Sequence, residues 1–257
     1  MRTNTDSYLK YKKEIKDIWN FVVMICYAVP SLNKTIKGVE QGIENYRLPK
    51  ADDFKHDKSS LETLKSYSKP SYKKRLASYL HISSFSFFEA YVKGAIEEFI
   101  QFHGDSDKFI QRAICRAERH LKDNEDDTKK HRAKLHGPYK KGNSLRYAKH
   151  IRQLEELHYR FPTELFSAYG LKTLIARSRD FTAKDIPEIM MDCFSFPLYR
   201  EAIKRFVSYK DRRNNIAHGN PSDYKLKEVL DMNEDLKSLA SSFDKHLISY
   251  YFILETD

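Results

Sequence analysis

Residues 209–221 read YKDRRNNIAHGNP, and they place cation, amide and imidazole groups where a helical pattern meets a Gly-Asn-Pro turn. Arg213 is followed directly by the polar Asn214 and, five positions after the arginine, by His218. An arginine can hold a phosphate through several N–H donors at once. A histidine can move a proton near neutral pH, because its unperturbed pKa is about 6.5. Together these groups suffice in principle to cut a phosphodiester beside a 2′-hydroxyl without a metal.

This stretch resembles the Arg-x4-6-His signature of the HEPN superfamily (higher eukaryotes and prokaryotes nucleotide-binding), in the form with a polar residue directly after the arginine. Gly219 also fits the RNxIAHG wording common in that superfamily. Far upstream, residues 87–92 read FFEAYV, which looks like the FEAYL helix of its RiboL-PSP-associated subgroup. The resemblance implies an all-α HEPN-type helical bundle. Many members of the superfamily are metal-independent RNases of bacterial defence and toxin–antitoxin systems.

Length and composition are compatible with that fold. The 257 residues can bury a full core, and we expect one HEPN-like helical domain over 1–257. Glycine and proline are scarce, at 8 each, which favours long helices over a turn-rich sheet protein. The formal charge of +10 suits a polyanion such as RNA as a partner, although a generically basic protein would show the same balance.

Cysteines and apolar runs limit the other classes of protein. Cys26, Cys115 and Cys193 lie far apart and are odd in number, so neither a disulfide framework nor a zinc knuckle is indicated. The histidines fall in no HExxH or Cys/His pattern, and we expect no metal and no cofactor. The longest apolar run, 21–29, is too short to cross a bilayer, so we expect a cytoplasmic protein without a membrane partner.

Hydrophobic periodicity predicts helices along most of the chain. Asp6 or Ser7 could cap the first helix, Pro30 should end or kink it, and Asp185 and Asp223 could cap later helices. The predicted helices cover 7–27, 31–44, 60–67, 71–102, 163–169, 171–176, 185–193, a motif helix from about 198, and 225–253. Ile186, Ile189 and Met190 are predicted to be core residues beneath the motif helix.

We expect a basic helical insertion at about 105–195, before the motif helix. Its cations are interspersed with Tyr139, Tyr147 and Tyr159, and such rings can stack on unpaired bases while cations follow the phosphates. A solvated helical surface would show the same pattern. The candidate RNA-binding residues are Arg112, Arg116, Arg119, Lys140, Lys141 and Arg146.

The spacing of the motif sets a geometric problem. Positions five apart lie about 140° around an ideal helix and about 7.5 Å along it, so Arg213 and His218 cannot share a face directly. Either the helix loosens before 219–221, or two protomers bring their motifs together across a two-fold axis. The superfamily resemblance implies the second arrangement, and we therefore expect a homodimer.

The resulting hypothesis is a metal-independent endoribonuclease of a toxin–antitoxin or antiphage defence system, with an antitoxin or companion defence protein as a possible partner. It would leave 2′,3′-cyclic phosphate and 5′-hydroxyl ends. Arg213, Asn214 and His218 would be catalytic, and Glu89, Arg212 and Asn215 would support them; Glu89 could equally be a surface glutamate. The alternative is a non-catalytic HEPN-type module that binds nucleotide, RNA or a partner protein.

Overall fold

The structure is a computed structural model. It describes residues 2–48, 61–68, 72–104, 107–109, 111–112, 115, 128–136, 144–156, 162–165, 170, 173–174, 176–177, 181–219 and 224–254. Within these ranges the chain is helical and has no β-strand, which confirms the predicted all-α fold.

The described residues form helices along most of their length. They are α1 (Asp6–Glu40), α2 (Leu61–Tyr67), α3 (Tyr72–Phe102), α4 (Lys129–His136), α5 (Ser144–Glu156), α6 (Pro162–Leu165), α7 (Arg200–Ala217) and α8 (Leu226–Tyr250). Between α6 and α7 lie a 3₁₀ turn (Ala183–Asp185), one α-helical turn (Ile186–Glu188) and a π-helical turn (Ile189–Cys193). The predicted helices at 60–67 and 71–102, the motif helix and the final helix therefore match α2, α3, α7 and α8 closely. Much of 163–169 and 171–176, and Asp223, lie outside the described residues.

The first helix corrects one part of a prediction, whereas the alternative that Pro30 kinks the helix stays a prediction. Pro30 neither ends α1 nor separates it from a second helix, because α1 continues to Glu40. A proline inside a helix removes one backbone hydrogen bond and crowds the preceding turn. Val22 before the proline and Ile36 after it are both buried, so burial on both sides favours one continuous helix.

The chain divides into two compact units. We call Met1–Lys12, Ser86–Asp211 and Asp235–Asp257 the large unit, and Lys13–Phe85 and Arg212–Glu234 the motif unit. The predicted organisation, a single domain with an insertion at 105–195, stays a prediction.

An aromatic cluster forms much of the core of the large unit. Phe99 packs edge-on against Phe109, Phe194 and Tyr251, with ring centroids 5.1 to 6.0 Å apart. The Tyr251 hydroxyl donates a hydrogen bond of 2.9 Å to the carbonyl oxygen of Phe194. The core is therefore fixed by ring geometry as well as by burial.

The segment beneath the motif helix differs in detail from its prediction. Ile186, Ile189 and Met190 are fully buried, which confirms them as core residues. Asp185 precedes the Ile186–Glu188 turn, but its side chain makes no capping hydrogen bond. Its carboxylate instead accepts a hydrogen bond of 2.6 Å from Thr182 and pairs with Arg177 at 3.3 Å.

The motif unit contains a close packing contact at a glycine. The ring of Tyr46 lies directly over Gly38, and a Cβ added there would come within 2.3 Å of the ring. The absence of a side chain on Gly38 thus lets the chain after α1 fold back onto the helix.

The start of α1 is tied to α8 within the large unit. Thr5, rather than Asp6 or Ser7, caps α1, since its Oγ1 accepts a hydrogen bond of 3.0 Å from the Tyr8 amide. The Thr5 hydroxyl in turn donates to Asp244 Oδ1 at 2.5 Å, and the Thr5 amide donates to the same carboxylate. Asp244 is fully buried, and burial, only partly offset by the Thr5 hydrogen bonds, raises its pKa from 3.8 to about 6.

One helix among the described residues, α1, is long and apolar enough to cross a membrane. An 18-residue window in it has a mean hydropathy of 1.3 and is 11% buried. Because α1 continues past the apolar run at 21–29, this window is longer than the run on which the sequence-based expectation was founded. A single such helix near the N-terminus does not by itself indicate a membrane span, because core helices of soluble proteins and signal sequences can have the same length and hydropathy.

Asp244→Asn tests the buried carboxylate. Because folding raises the pKa of Asp244, folding favours its protonated form; the resulting stabilisation is complete below about pH 3.8 and is lost as pH rises through about 6. Urea unfolding between pH 4 and 7.5 should show a fall in the unfolding free energy of wild type, relative to Asp244→Asn, on the order of 2–3 kcal/mol. Asp231→Asn, at an exposed carboxylate of α8, should follow wild type. Parallel curves for wild type and Asp244→Asn would contradict this account.

Candidate functional site

The end of α7 places the motif histidine just beyond the last helical residue. The His218 amide still donates to the Asn214 carbonyl at 2.9 Å, and the Gly219 amide donates to the Ile216 carbonyl at 3.0 Å. Gly219 has a φ of +80°, a left-handed conformation typical of the residue that ends a helix. His218 is exposed, and its imidazole has no hydrogen-bond partner among the described residues. It is thus accessible to a substrate.

The arginine of the motif is held in place. Arg213 is half-buried, its Nε atom is buried, and its Nη1 donates a hydrogen bond of 3.1 Å to Oδ1 of Asn214. The amide oxygen of Asn214 therefore orients the guanidinium, which explains why a polar residue directly after the arginine is useful. A guanidinium fixed this way loses less side-chain entropy when it binds an anion.

Arg212, the neighbouring arginine, makes different contacts. Its guanidinium lies 4.1 Å from the centre of the Tyr224 ring, and its Nη1 is 2.9 Å from Oε2 of Glu228. Partial burial acts to lower the pKa of Arg212, but Tyr224 and Glu228 outweigh burial, and the pKa is raised. Arg212 thus connects the last turns of α7 to the start of α8 within the motif unit.

A buried histidine extends this network. His81 is fully buried on α3, and its Nδ1 lies 2.9 Å from the Tyr224 hydroxyl. Burial raises the pKa of Tyr224, although Arg212 acts in the opposite direction. His81, Tyr224 and Glu228 were not predicted from the sequence to be part of the site. The spacing of Tyr224 and Glu228, four positions apart at the start of α8, was the available signal.

The other two residues predicted to support catalysis, Glu89 and Asn215, lie on different helices. Asn215 is exposed on α7. Glu89 is half-buried on α3 and belongs to the large unit, whereas Arg213 and His218 belong to the motif unit. The supporting roles of Glu89 and Asn215 stay predictions.

The FEAYL-like stretch mainly supplies core residues. Phe88, Tyr91 and Val92 are buried, and the Tyr91 hydroxyl donates to the Ala240 carbonyl at 3.1 Å. This stretch therefore stabilises the packing of α3 in the large unit.

The predicted RNA-binding cations are seen only in part. Arg112 is half-buried and donates a hydrogen bond of 2.7 Å from Nη2 to the His103 carbonyl, so one of its donors serves the fold. Arg116, Arg119, Lys140 and Lys141, and the side chain of Arg146, lie outside the described residues.

In the described ranges, no group of three or more His, Cys, Asp or Glu side chains is placed to hold a metal ion. His131 and His150 form a pair, with their Nδ1 atoms 3.1 Å apart.

Arg212→Ala tests the contact between α7 and α8. Loss of the Tyr224 and Glu228 contacts should lower the unfolding free energy by about 1–2 kcal/mol, since the ion pair is partly exposed and contributes little. Lys204→Ala provides the control, because Lys204 is exposed and its one ion pair among the described residues is with Glu201 at 3.0 Å. We expect it to cost less than about 0.5 kcal/mol in the same urea titration. Equal losses in both variants would show that the Arg212 contacts do not stabilise the fold.

Comparisons with known proteins agree with the resemblance of the motif. A family model, RiboL-PSP-HEPN, matches residues 51–249, which include α3, the motif and most of α8. Comparison with curated proteins and with solved structures gives no significant match. Because the family model covers well over half of the sequence, the chain belongs to the RiboL-PSP-HEPN family of HEPN domains.

Proposed function

We propose that this protein is a metal-independent endoribonuclease. HEPN domains are often RNases or nucleotide-binding modules, and the matched region contains the Arg-x4-His motif. One observation carries the proposal: Arg213 is oriented by Asn214 near the end of α7, while His218 is exposed just beyond that end. A fixed guanidinium and an accessible imidazole are the two groups that the reaction needs.

Each residue has a role in the proposed reaction. His218 acts as general base or general acid, removing the proton of the 2′-hydroxyl or returning one to the leaving 5′-oxygen. Arg213 stabilises the negative charge that develops on the phosphorane. Asn214 orients the guanidinium of Arg213 through the hydrogen bond of 3.1 Å. The products are a 2′,3′-cyclic phosphate and a 5′-hydroxyl.

The proposed enzyme is a homodimer. Helical hydrogen bonding persists to the His218 amide, so Arg213 and His218 stay on different sides of the helix by about 140°. Two motifs related by a two-fold axis can instead supply two arginines and two histidines to one cleft. This arrangement joins residues that a single α7 keeps apart.

The proposed setting is a toxin–antitoxin or antiphage system in the cytoplasm, where RNA is the substrate and an antitoxin or companion protein restrains the activity. The alternative is a non-catalytic module that binds nucleotide, RNA or a partner protein. That alternative is favoured by one observation, since an arginine held by Asn214 can bind an anion without any proton transfer.

RNA cleavage in EDTA separates the two functions. Wild type should cut RNA, and Arg213→Ala and His218→Ala should each lower the rate by about a hundredfold or more. Arg213→Lys should also be impaired, because an ammonium lacks the planar fork of donors. The control is Lys227→Ala, at an exposed cation of α8, with urea midpoints confirming that every variant is folded. Failure of wild type to cut any RNA would favour the binding module, and undiminished cutting by both alanine variants would exclude the assigned residues.

The molar mass in solution tests the composite cleft. Light scattering during gel filtration should give twice the chain mass of 30.4 kDa at concentrations where the protein is active. A protein that cuts RNA while it remains at 30.4 kDa would show that one chain is sufficient.

A further inference from the structure

A pocket in the large unit is lined by residues other than Arg213, Asn214 and His218. It has a volume of about 330 Å³ and lies between the first half of α7, with the residues before it, and the second half of α8. This volume is at the lower end of the range for small-molecule sites. The pocket is therefore large enough for a compact planar ligand.

Most of the wall is apolar and firmly packed. Phe196, Leu198, Phe206 and Leu236 line it and are buried. The Phe196 ring packs edge-on against Phe243 at a centroid distance of 5.4 Å. Because these side chains are fixed by the core, the pocket is formed before any ligand binds.

One side of the pocket is polar. Asp235, Ser238 and Ser242 line it from α8, at the i, i+3 and i+7 positions of one helical face. Oδ2 of Asp235 accepts a hydrogen bond of 2.6 Å from the Tyr209 hydroxyl and lies 3.0 Å from Nε of Arg205. Oδ1 of Asp235 has no hydrogen-bond partner among the described residues. The carboxylate is thus oriented by two neighbours and offers its other oxygen to a ligand.

The rim combines an aromatic ring with cations. Tyr199 lines the pocket and is 74% exposed. Arg205 also lines the pocket and is exposed, and Arg200 and Lys204 are exposed on the same helix outside the lining. Exposed rings that stack on bases, beside cations that contact phosphates, are typical of sites for single-stranded nucleic acid. An apolar peptide segment would make no use of these cations.

From this geometry we propose that the pocket binds a nucleobase of the RNA, and that guanine is preferred. Guanine presents two adjacent N–H donors, at N1 and N2, and the two lone pairs of Asp235 Oδ1 can accept from both, while the serine hydroxyls can donate to the guanine oxygen. Tyr199 stacks on the base, and Arg205 contacts the phosphate. Uracil offers a single N–H donor between two carbonyls and fits this carboxylate less well. The inference rests on the proposed function only in assigning the nucleotide to an RNA substrate.

Binding of nucleoside monophosphates tests the pocket without any cleavage, because these probes contain no phosphodiester bond. Calorimetric titration of wild type should show that guanosine monophosphate binds about tenfold more tightly than uridine monophosphate. Tyr199→Ala and Asp235→Asn should each weaken binding of guanosine monophosphate by about tenfold. Tyr79→Ala and Asp231→Asn replace an exposed tyrosine and an exposed aspartate outside the pocket, and both should bind as wild type does.

Three results would overturn the proposal. The first is that folded wild type binds no nucleoside monophosphate. The second is that both pocket variants bind guanosine monophosphate as tightly as wild type does. The third is that the pocket binds a tryptophan-bearing dipeptide in place of nucleotide, which would indicate a protein partner. The two proposals fail separately. A protein that binds guanosine monophosphate in this pocket but cuts no RNA would refute only the ribonuclease, and one that cuts RNA but binds no nucleotide here would refute only the pocket.

Discussion

The stacking of Arg212 on Tyr224 is the contact on which the arrangement of the motif depends. It connects α7 to the start of α8 within the motif unit, and Glu228 and His81 stabilise its two ends. The guanidinium satisfies several requirements at once, since it is charged, planar and able to donate to a carboxylate while it lies on a ring. Two adjacent arginines thus have separate roles, one in packing and one in the proposed chemistry.

The sequence predicted the long helices well, because a 3.6-residue apolar period is a local property of the chain. The helices predicted at 71–102 and 225–253 lie within three residues of the ends of α3 (Tyr72–Phe102) and α8 (Leu226–Tyr250). Local rules failed where tertiary contacts outweigh them. Val22 and Ile36 are buried on either side of Pro30, and this burial favours a helix that continues past the proline. Thr5 rather than Asp6 caps α1, because Asp244 fixes the Thr5 hydroxyl.

Less of the candidate site could be predicted. The residue types and spacing of Arg213, Asn214 and His218 were readable, whereas the hydrogen bond between Arg213 and Asn214 depends on side-chain rotamers that a motif does not encode. The network of His81, Tyr224 and Arg212 joins residues far apart in sequence, and no single-sequence pattern connects them. The basic composition was also a limited guide, because Arg132 is buried and Arg177 pairs with Asp185 and Glu188.

The turn after α7 has a consequence for chemical synthesis of the protein. A Cβ at Gly219 would meet none of the described residues within 4 Å, so the positive φ, and not contact with these residues, restricts this position. L-Alanine would carry a conformational cost of about 1–2 kcal/mol, whereas D-alanine, its mirror image, adopts this backbone without strain. A D-residue would also restrict the unfolded chain more than glycine does. Replacing Gly219 with D-alanine would therefore make the turn that carries His218 more rigid.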